Sequence, residues 1–171
     1  MKEWRGKAYC FGDNINTDYI IASSRKRDTL DPNELKKYIM EDIRPRFYHE
    51  LDGESILVAG KNFGCGSAME IAVLVLKASD INVVVAKSFA RSFYRNAINN
   101  GVLPIEINTD SIREGDVLSV QMSEDIKVTN LNSGLEMVVP GIKGLAREVL
   151  LAGGLVEYTR RLDVNSVTST K

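Results

Sequence analysis

The chain has 171 residues, enough for a domain with its own core, and its 44% hydrophobic and 26% charged residues are ordinary for a globular protein. The formal net charge of −1 gives no electrostatic reason to bind nucleic acid or an anionic membrane. The apolar stretches are too short to span a bilayer and the N-terminal residues lack the apolar core of a signal peptide, so we expect a cytoplasmic protein.

The N-terminal part of the chain alternates one strand candidate with polar segments. The segment GKAYCFG (6–12) predicts a short strand that ends at a glycine. The polar and basic segment ASSRKRDTLDP (22–32) is typical of an exposed loop. The segment DPNELKKYIM (31–40) predicts a helix, because Asp31 is a good N-cap and Pro32 fits the first helical position.

The central part alternates strand and helix patterns from residue 55 to residue 107. The predicted elements, in order, are the strand SILVAG (55–60), an all-apolar helix around 71–76, the strand INVVVAKS (81–88), the helix FARSFYRNAINNG (89–101) and the strand VLPIEI (102–107). The first helix is apolar on all sides and the second strand contains a β-branched run, which indicates that both are buried. Strand, helix, strand, helix, strand predicts a parallel α/β unit.

After residue 107 the pattern changes from alternating strands and helices to short strands followed by a helix. The segments EGDVLSV (114–120), DIKVTNLNSG (125–134) and LEMVV (135–139) predict short strands in a small antiparallel or barrel-like part. The segment GIKGLAREVLLAGGLVEYTRRL (141–162) predicts a terminal helix. Residues 163–171 offer little to bury, so we expect one domain over 5–162 followed by a disordered tail.

A glycine-rich turn joins the first central strand to the apolar helix, in the segment KNFGCGSAME (61–70). Gly64 and Gly66 let the backbone turn closely, and free N–H groups at a helix start favour an anion. Ser67 with Glu70 also fits a capping box, which is a structural use of the same residues. The segment matches neither a dinucleotide-binding glycine motif nor a Walker loop nor a serine elbow. The pattern alone leaves both anion binding and capping open.

Two cysteines and one histidine limit the metal chemistry of the chain. An iron–sulfur cluster usually needs three or four thiolates, so the chain does not hold one alone. The spacing of Cys10, His49 and Cys65 matches no zinc-finger pattern, and we predict no metal site. Cys65 follows a glycine near a helix start, where a thiol can be activated, but we favour the simpler interpretation of a small buried residue between two glycines.

The basic run in the exposed loop also has two interpretations. Arg25, Lys26 and Arg27 are consecutive, and such a run is most often a solvated face. Guanidinium groups also bind carboxylates through paired hydrogen bonds. Composition does not choose between a solvated face and a carboxylate site.

Three stretches together resemble the small subunits of 3-isopropylmalate dehydratase and homoaconitase, which correspond to the mobile C-terminal domain of aconitase. The stretches are GDNINTDYII (12–21), GKNFGCGSAMEIAV (60–73) and AKSFARSFYRNAINNGVLPI (86–105), and the ending AGGLVEYTRR (152–161) is also similar. The resemblance runs in order over about residues 5–162. It implies an α/β fold of the swivelling type, with β, β and α layers.

The resemblance also implies an activity and a partner. Proteins of this family remove and re-add water on a small hydroxy-dicarboxylate or tricarboxylate through an enoate. A separate large subunit carries the [4Fe–4S] cluster, whose open iron acts as a Lewis acid, so this chain is expected to bind no cofactor.

Individual residues take their expected roles from the matching motifs. The serine after GCG, Ser67, is expected to be the base that removes a proton from carbon, and Asp18 is expected to assist in the active site. The backbone of Gly64, Cys65 and Gly66 would hold an oxyanion. The family's specificity loop corresponds to ASSRKRD (22–28) here, and its arginine in homoaconitase-like members best matches Arg27, with Arg25 next.

The chain departs from the family motif at two positions. The usual GCGSSRE reads GCGSAME here, so Ala68 replaces a serine and Met69 replaces an arginine that binds a substrate carboxylate. The basic loop could replace the lost charge, or Met69 could form an apolar wall for a methyl-substituted malate such as 2,3-dimethylmalate. A third alternative is a non-catalytic regulatory or interaction paralogue. Because Ser67 and Asp18 remain, we expect a working hydro-lyase.

Overall fold

The computed structural model describes the backbone of residues 1–168 and the side chains of residues 1–162. The strands are β1 (Lys2–Cys10), β2 (Ser55–Ala59), β3 (Ile81–Ala86), β4 (Leu103–Glu106), β5 (Val117–Met122), β6 (Asp125–Asn130) and β7 (Glu136–Pro140). The α-helices are α1 (Thr17–Ile20), α2 (Pro32–Leu35), α3 (Glu70–Ala78), α4 (Arg91–Asn99), α5 (Gly144–Ala152) and α6 (Leu155–Thr168). Short 3₁₀ turns cover Ser23–Lys26, Lys36–Tyr38 and Phe47–Glu50.

All seven strands form one mixed sheet in the order β4-β3-β2-β1-β5-β6-β7. Strands β1 to β4 are parallel, because each pair is joined by a crossover long enough to return the chain to the same edge. Strands β5 to β7 are joined by short turns and run antiparallel. The predicted parallel unit is confirmed. The predicted antiparallel part is also present, but it continues the same sheet from β1 instead of forming a separate one.

Side-chain alternation in the sheet produces two hydrophobic cores. On one face, Leu57 of β2 and Val84 of β3 pack with the apolar residues of α3. On the other face, Val85 of β3 packs in one cluster with Ile126 and Val128 of β6. Pro104 and Ile105 of β4 line one pocket together with Ile126 of β6 and Val139 of β7, so the sheet curls until its two halves face each other. The result is two β layers and one α layer, which confirms the predicted fold class.

The helix predicted over 31–40 is shorter than its sequence pattern. Asp31 caps α2 as expected, and its carboxylate accepts a hydrogen bond from the Asn33 N–H at 2.9 Å. The helix then tightens to a 3₁₀ turn, and Met40 adopts a left-handed backbone with a φ of 56°. Met40 is fully buried, so packing of this side chain turns the backbone away from a longer helix.

The terminal helix predicted over 141–162 is divided in two. The break lies at Gly153 and Gly154, whose φ angles are 97° and 127°. Helix α6 then runs to Thr168, past the predicted end of the domain at residue 162. The predicted tail at 163–171 therefore begins as helical backbone, and residues 169–171 lie outside the described residues.

Candidate active site

The site lies where the parallel strands β1, β2 and β3 end. The carboxyl ends of these strands lie together, as the pairings of Cys10 with Val58 and of Ala59 with Ala86 show. The segments that follow them carry the three family-like motifs. Ligands of open α/β sheets usually bind at this edge, outside the carboxyl ends of the strands.

Backbone hydrogen bonds hold the glycine-rich turn between its two neighbours. Towards the segment after β1, the Gly64 N–H donates to the Ile15 carbonyl at 2.8 Å, and the Thr17 N–H donates to the Cys65 carbonyl at 2.9 Å. Towards the segment after β3, the Phe63 N–H donates to the Ser88 carbonyl at 3.0 Å. The turn is thus fixed on both sides before any ligand binds.

Both glycines of the turn occupy positions that a side chain would not tolerate. Gly64 has a φ of 76°, and a Cβ atom there would lie 2.1 Å from Cγ of Phe93. Gly66 has a φ of 86°, and a Cβ atom there would lie 2.5 Å from the side-chain nitrogen of Asn16. Gly64 is buried and its N–H is already bonded to Ile15, so it shapes the turn and has no free donor for a ligand. Gly66 is exposed.

Ser67 is exposed and stands three residues before the first residue of α3. The N-cap of α3 is Met69, without a side-chain capping bond, so the capping-box alternative is wrong. The Thr17 hydroxyl, which is buried, donates to the Ser67 carbonyl at 2.8 Å and holds the residue in place. Within the described residues the Ser67 hydroxyl makes no hydrogen bond, so it is free to act on a ligand.

The backbone beside Ser67 has donor capacity to spare. Among the described residues, no hydrogen bond uses the N–H groups of Gly66, Ser67 or Ala68. Unpaired N–H groups of successive residues in a glycine turn form a concave donor set that suits an anion. Of the two alternatives left open by the pattern, this geometry favours anion binding.

Asp18 is a half-exposed carboxylate in α1, with a side-chain exposure of 48%. Asn16 caps this helix, because its side-chain oxygen accepts a hydrogen bond from the Asp18 N–H at 2.9 Å. The Asp18 carboxylate accepts a hydrogen bond from the Ser23 hydroxyl at 2.6 Å and another from Lys26 Nζ at 3.5 Å. The Ser23 hydrogen bond and the Lys26 charge together lower the pKa of Asp18 below its usual value, so the group is an ionised acceptor.

The three cations of the basic loop have different environments. Arg25 makes a bidentate pair with the Glu41 carboxylate, at 2.6 and 3.1 Å, and stacks 3.9 Å above the ring of Tyr38. Arg27 is exposed and forms no ion pair within the described residues. Lys26 is turned inward, and its Nζ lies 2.8 Å from Sδ of Met69. The structure thus brings Lys26 to the glycine-rich turn and uses Arg25 elsewhere.

Sequence reasoning singled out Asp18 and Ser67 but missed the residues that hold them. Asn16 and Thr17 stand in the same motif as Asp18, and an asparagine before a threonine–aspartate pair is a recognisable N-cap pattern. Ser23 donates to Asp18, but its contact depends on the fold of the 3₁₀ turn. No local pattern could have found that contact.

Both cysteines are free thiols of intermediate exposure. Burial, and then the nearby carboxylates of Glu114 and Asp116, raise the pKa of Cys10 to about 11. Such a thiol stays protonated at neutral pH and is a weak nucleophile. Across the residues searched, no three His, Cys, Asp or Glu side chains come together as a metal site. Among those residues, too, there is no helix with the length and apolarity needed to cross a bilayer.

Comparison with known proteins agrees with this geometry. The aconitase C-terminal domain family matches residues 14–110. The homoaconitase small subunit of Methanocaldococcus jannaschii is 46% identical over 158 residues, covering 92% of this chain and 91% of the relative. The 3-isopropylmalate dehydratase small subunit of Caldanaerobacter subterraneus subsp. tengcongensis is 44% identical over 158 residues, covering 91% and 97%.

The same relationship holds in three dimensions. The crystal structure of a 3-isopropylmalate dehydratase from Methanocaldococcus jannaschii superposes with a TM-score of 0.92 at 40% identity, covering 98% of this chain and 99% of that one. The fold is therefore that of an aconitase C-terminal domain. The chain belongs to the family of 3-isopropylmalate dehydratase and homoaconitase small subunits.

Proposed function

We propose that the chain is the small subunit of a two-subunit, iron–sulfur-dependent hydro-lyase acting on a small hydroxy-dicarboxylic acid in the cytoplasm. The observation that carries the proposal is the Ser67 hydroxyl, which is exposed, unbonded within the described residues and fixed through its carbonyl by Thr17. The named relatives, a homoaconitase and several 3-isopropylmalate dehydratases, support the reaction class.

The proposed step is a proton transfer from carbon. The Ser67 alkoxide takes the proton, the C–H electron pair forms the C=C bond, and the hydroxyl on the neighbouring carbon departs as hydroxide with its C–O electrons. The hydroxide then takes the proton from Ser67, which releases water and restores the alkoxide. Hydration runs the same steps in reverse. A serine hydroxyl is a poor base in water, so its alkoxide needs nearby donors and a site closed to solvent. The free N–H groups of Gly66 and Ala68 can supply the donors.

Closure requires a second chain, because Ser67 is exposed in the isolated subunit. We propose a separate large subunit that covers this edge of the sheet and carries the [4Fe–4S] cluster. The residues of this chain do not fit a cluster, because it has two cysteines and a cluster usually needs three or four thiolates. The cluster on the partner would supply Lewis acidity to the substrate.

The substrate side of the proposal rests on Met69. Met69 follows Ser67 by two residues, and its side chain is partly buried and packs against the core cluster, so we place it as an apolar wall of the site. An apolar wall suits a substrate with methyl groups better than one with a third carboxylate. We therefore propose a methyl-substituted malate, of which 2,3-dimethylmalate is the leading example.

Reconstitution with a large subunit from the same organism tests the proposal. The pair is assembled anaerobically, its cluster content is measured, and enoate absorbance is followed with isopropylmalate, homocitrate, citramalate and 2,3-dimethylmalate. Turnover of the methyl-substituted malates alone supports both the reaction and the substrate. Turnover of isopropylmalate supports the reaction but contradicts the substrate. No turnover by a fully loaded complex contradicts the proposal.

One observation favours a second candidate, a non-catalytic regulatory or interaction module. Met69 occupies the place of the arginine that the family motif uses for a substrate carboxylate, and a loss of that kind is typical of inactive paralogues. Such a module would bind the large subunit without supporting turnover. Native mass spectrometry of the pair beside the activity assay separates the two candidates.

A further inference from the structure

Lys26 is held in an unusual place for a lysine. Its side chain is only 12% exposed, yet its Nζ lies against Sδ of Met69 at 2.8 Å. An ammonium carries three donors, and a thioether sulfur is a weak acceptor. The carboxylate of Asp18 is 3.5 Å away, which is long for a charged hydrogen bond. Lys26 therefore has donor capacity that its neighbours use poorly.

The surroundings of Lys26 leave it available for a ligand, whereas those of Arg25 do not. Arg25 is committed to both carboxylate oxygens of Glu41. The closest bond to Asp18 comes from the Ser23 hydroxyl, at 2.6 Å, so this carboxylate is only partly shared with Lys26. Ser23 and Lys26 are the first and last residues of one 3₁₀ turn, and both reach the same carboxylate. Asp18 thereby anchors the turn that carries Lys26 over the glycine-rich segment.

We propose that Lys26 binds a carboxylate of the substrate beside Met69, in the place that an arginine fills in the family motif. The inference rests on the proposed function, since it assumes that the substrate is an anionic hydroxy acid bound at Ser67. Asp18 is then a positioning residue: it holds Lys26 near the turn and does not itself contact the substrate. A carboxylate arriving at Nζ offers a far better acceptor than the sulfur of Met69.

A lysine at this place has a consequence for specificity. An arginine presents a rigid planar fork that fixes both oxygens of a carboxylate, whereas a lysine is a point charge on a flexible stem. Lys26 therefore constrains the direction of the carboxylate less than an arginine at position 69 would. With the thioether of Met69 beside it, the subsite accepts a carboxylate whose neighbouring carbon carries a methyl group.

The test uses the reconstituted two-subunit enzyme. Lys26→Met keeps the length of the side chain and removes its charge, and Lys37→Met is the matched control on an exposed lysine outside the site. A hydrogen bond to a charged group corresponds to about tenfold to a hundredfold in affinity, so we expect Lys26→Met to raise KM by about that factor. The Lys26→Arg variant should retain most of the affinity for substrate. Adding Met69→Arg to the Lys26→Met variant should restore part of the affinity that Lys26→Met loses.

Calorimetric binding of 2,3-dimethylmalate to the same complexes separates this inference from the proposed function. If the wild-type pair turns over a substrate and Lys26→Met leaves both KM and affinity unchanged, the inference is overturned and the function stands. If the pair is inactive but binds the dicarboxylate, and Lys26→Met loses that binding, the function fails and the carboxylate subsite stands. If the wild-type pair neither turns over nor binds any hydroxy acid, both are overturned.

Discussion

Replacement of Gly64 by alanine should destabilise the chain because of one identifiable contact. The new Cβ atom would lie 2.1 Å from Cγ of Phe93, where carbon atoms normally pack at about 3.5–4.0 Å. The left-handed backbone, with a φ of 76°, adds a strain of about 1–2 kcal/mol for a residue with a Cβ atom. Gly53 is the matched control, because it has a φ of 86° and nothing within 4 Å of its Cβ position.

Both variants place a Cβ atom on a left-handed backbone, but only Gly64→Ala makes that atom overlap a neighbour. The difference between their free energies of unfolding therefore measures the cost of the overlap. Overpacking of a closed site costs about 1–3 kcal/mol, so Gly64→Ala should lose that much more free energy of unfolding than Gly53→Ala. For a domain of this size each 1 kcal/mol shifts Tm by about 2–4 °C, which gives an additional loss of about 2–12 °C. Calorimetry and urea unfolding of the isolated chain measure the difference without needing a partner.

Phe93→Ala provides the second arm of the same experiment. An alanine removes Cγ and Cδ2, two of the three atoms nearest to the added Cβ, so Gly64→Ala should cost less in the Phe93→Ala background than in the wild type. A coupling of about 1 kcal/mol or more in the double-mutant cycle is expected for residues in direct contact. Equal losses for Gly64→Ala and Gly53→Ala, with no coupling to Phe93, would refute the packing described for this turn.

Two further predictions concern the site and its thiols. Thr17→Val removes the hydroxyl that donates to the Ser67 carbonyl, so turnover of the reconstituted enzyme should fall several-fold with little change in subunit affinity; unchanged kcat would show that the contact is not needed. Cys10 stays protonated below its pKa of about 11, since burial and nearby carboxylates disfavour the thiolate. In a Cys65→Ser variant, iodoacetamide should therefore react with Cys10 slowly at pH 8 and faster towards pH 11. Rapid alkylation at pH 8 would contradict the partly buried position of Cys10 beside the two carboxylates.

The parallel half of the fold could be predicted because its signals are local and agree with one another. A fully apolar strand, a glycine turn and an apolar helix follow in order, and the strand and helix patterns both indicate buried elements. The antiparallel strands were recognisable individually. Their continuation of the same sheet depends on the pairing of β5 with β1, between residues more than one hundred positions apart. No local pattern contains that pairing.

The capping box failed for a comparable reason. Ser67 and Glu70 have the right spacing, but Cys65 and Gly66 are fixed to the segment around Asn16. Met69 is left with an extended backbone, at φ −123° and ψ 113°, so the helix begins after it. Tertiary contacts that hold Ser67 out of the helix override the local preference for a cap.

The basic loop shows the limit of composition most clearly. Three consecutive cations are nearly equivalent in the sequence, yet Arg25 pairs with Glu41, Arg27 faces solvent and Lys26 turns to Met69. The difference arises from partners 16 and 43 residues away. Of these three cations, Lys26 is the one with a hydrogen bond to the glycine-rich turn, at Met69.

The most direct test of the account is the activity of Ser67→Ala in the assembled, cluster-loaded complex. Ser123→Ala is the control, since Ser123 is an exposed serine in the β5–β6 turn, at the end of the sheet opposite the site. A positioned base contributes about 10²–10⁴-fold to rate, so turnover should fall by at least that much while subunit binding and cluster content stay unchanged. Normal turnover by Ser67→Ala, measured beside an equally active Ser123→Ala, would contradict the assignment of the base.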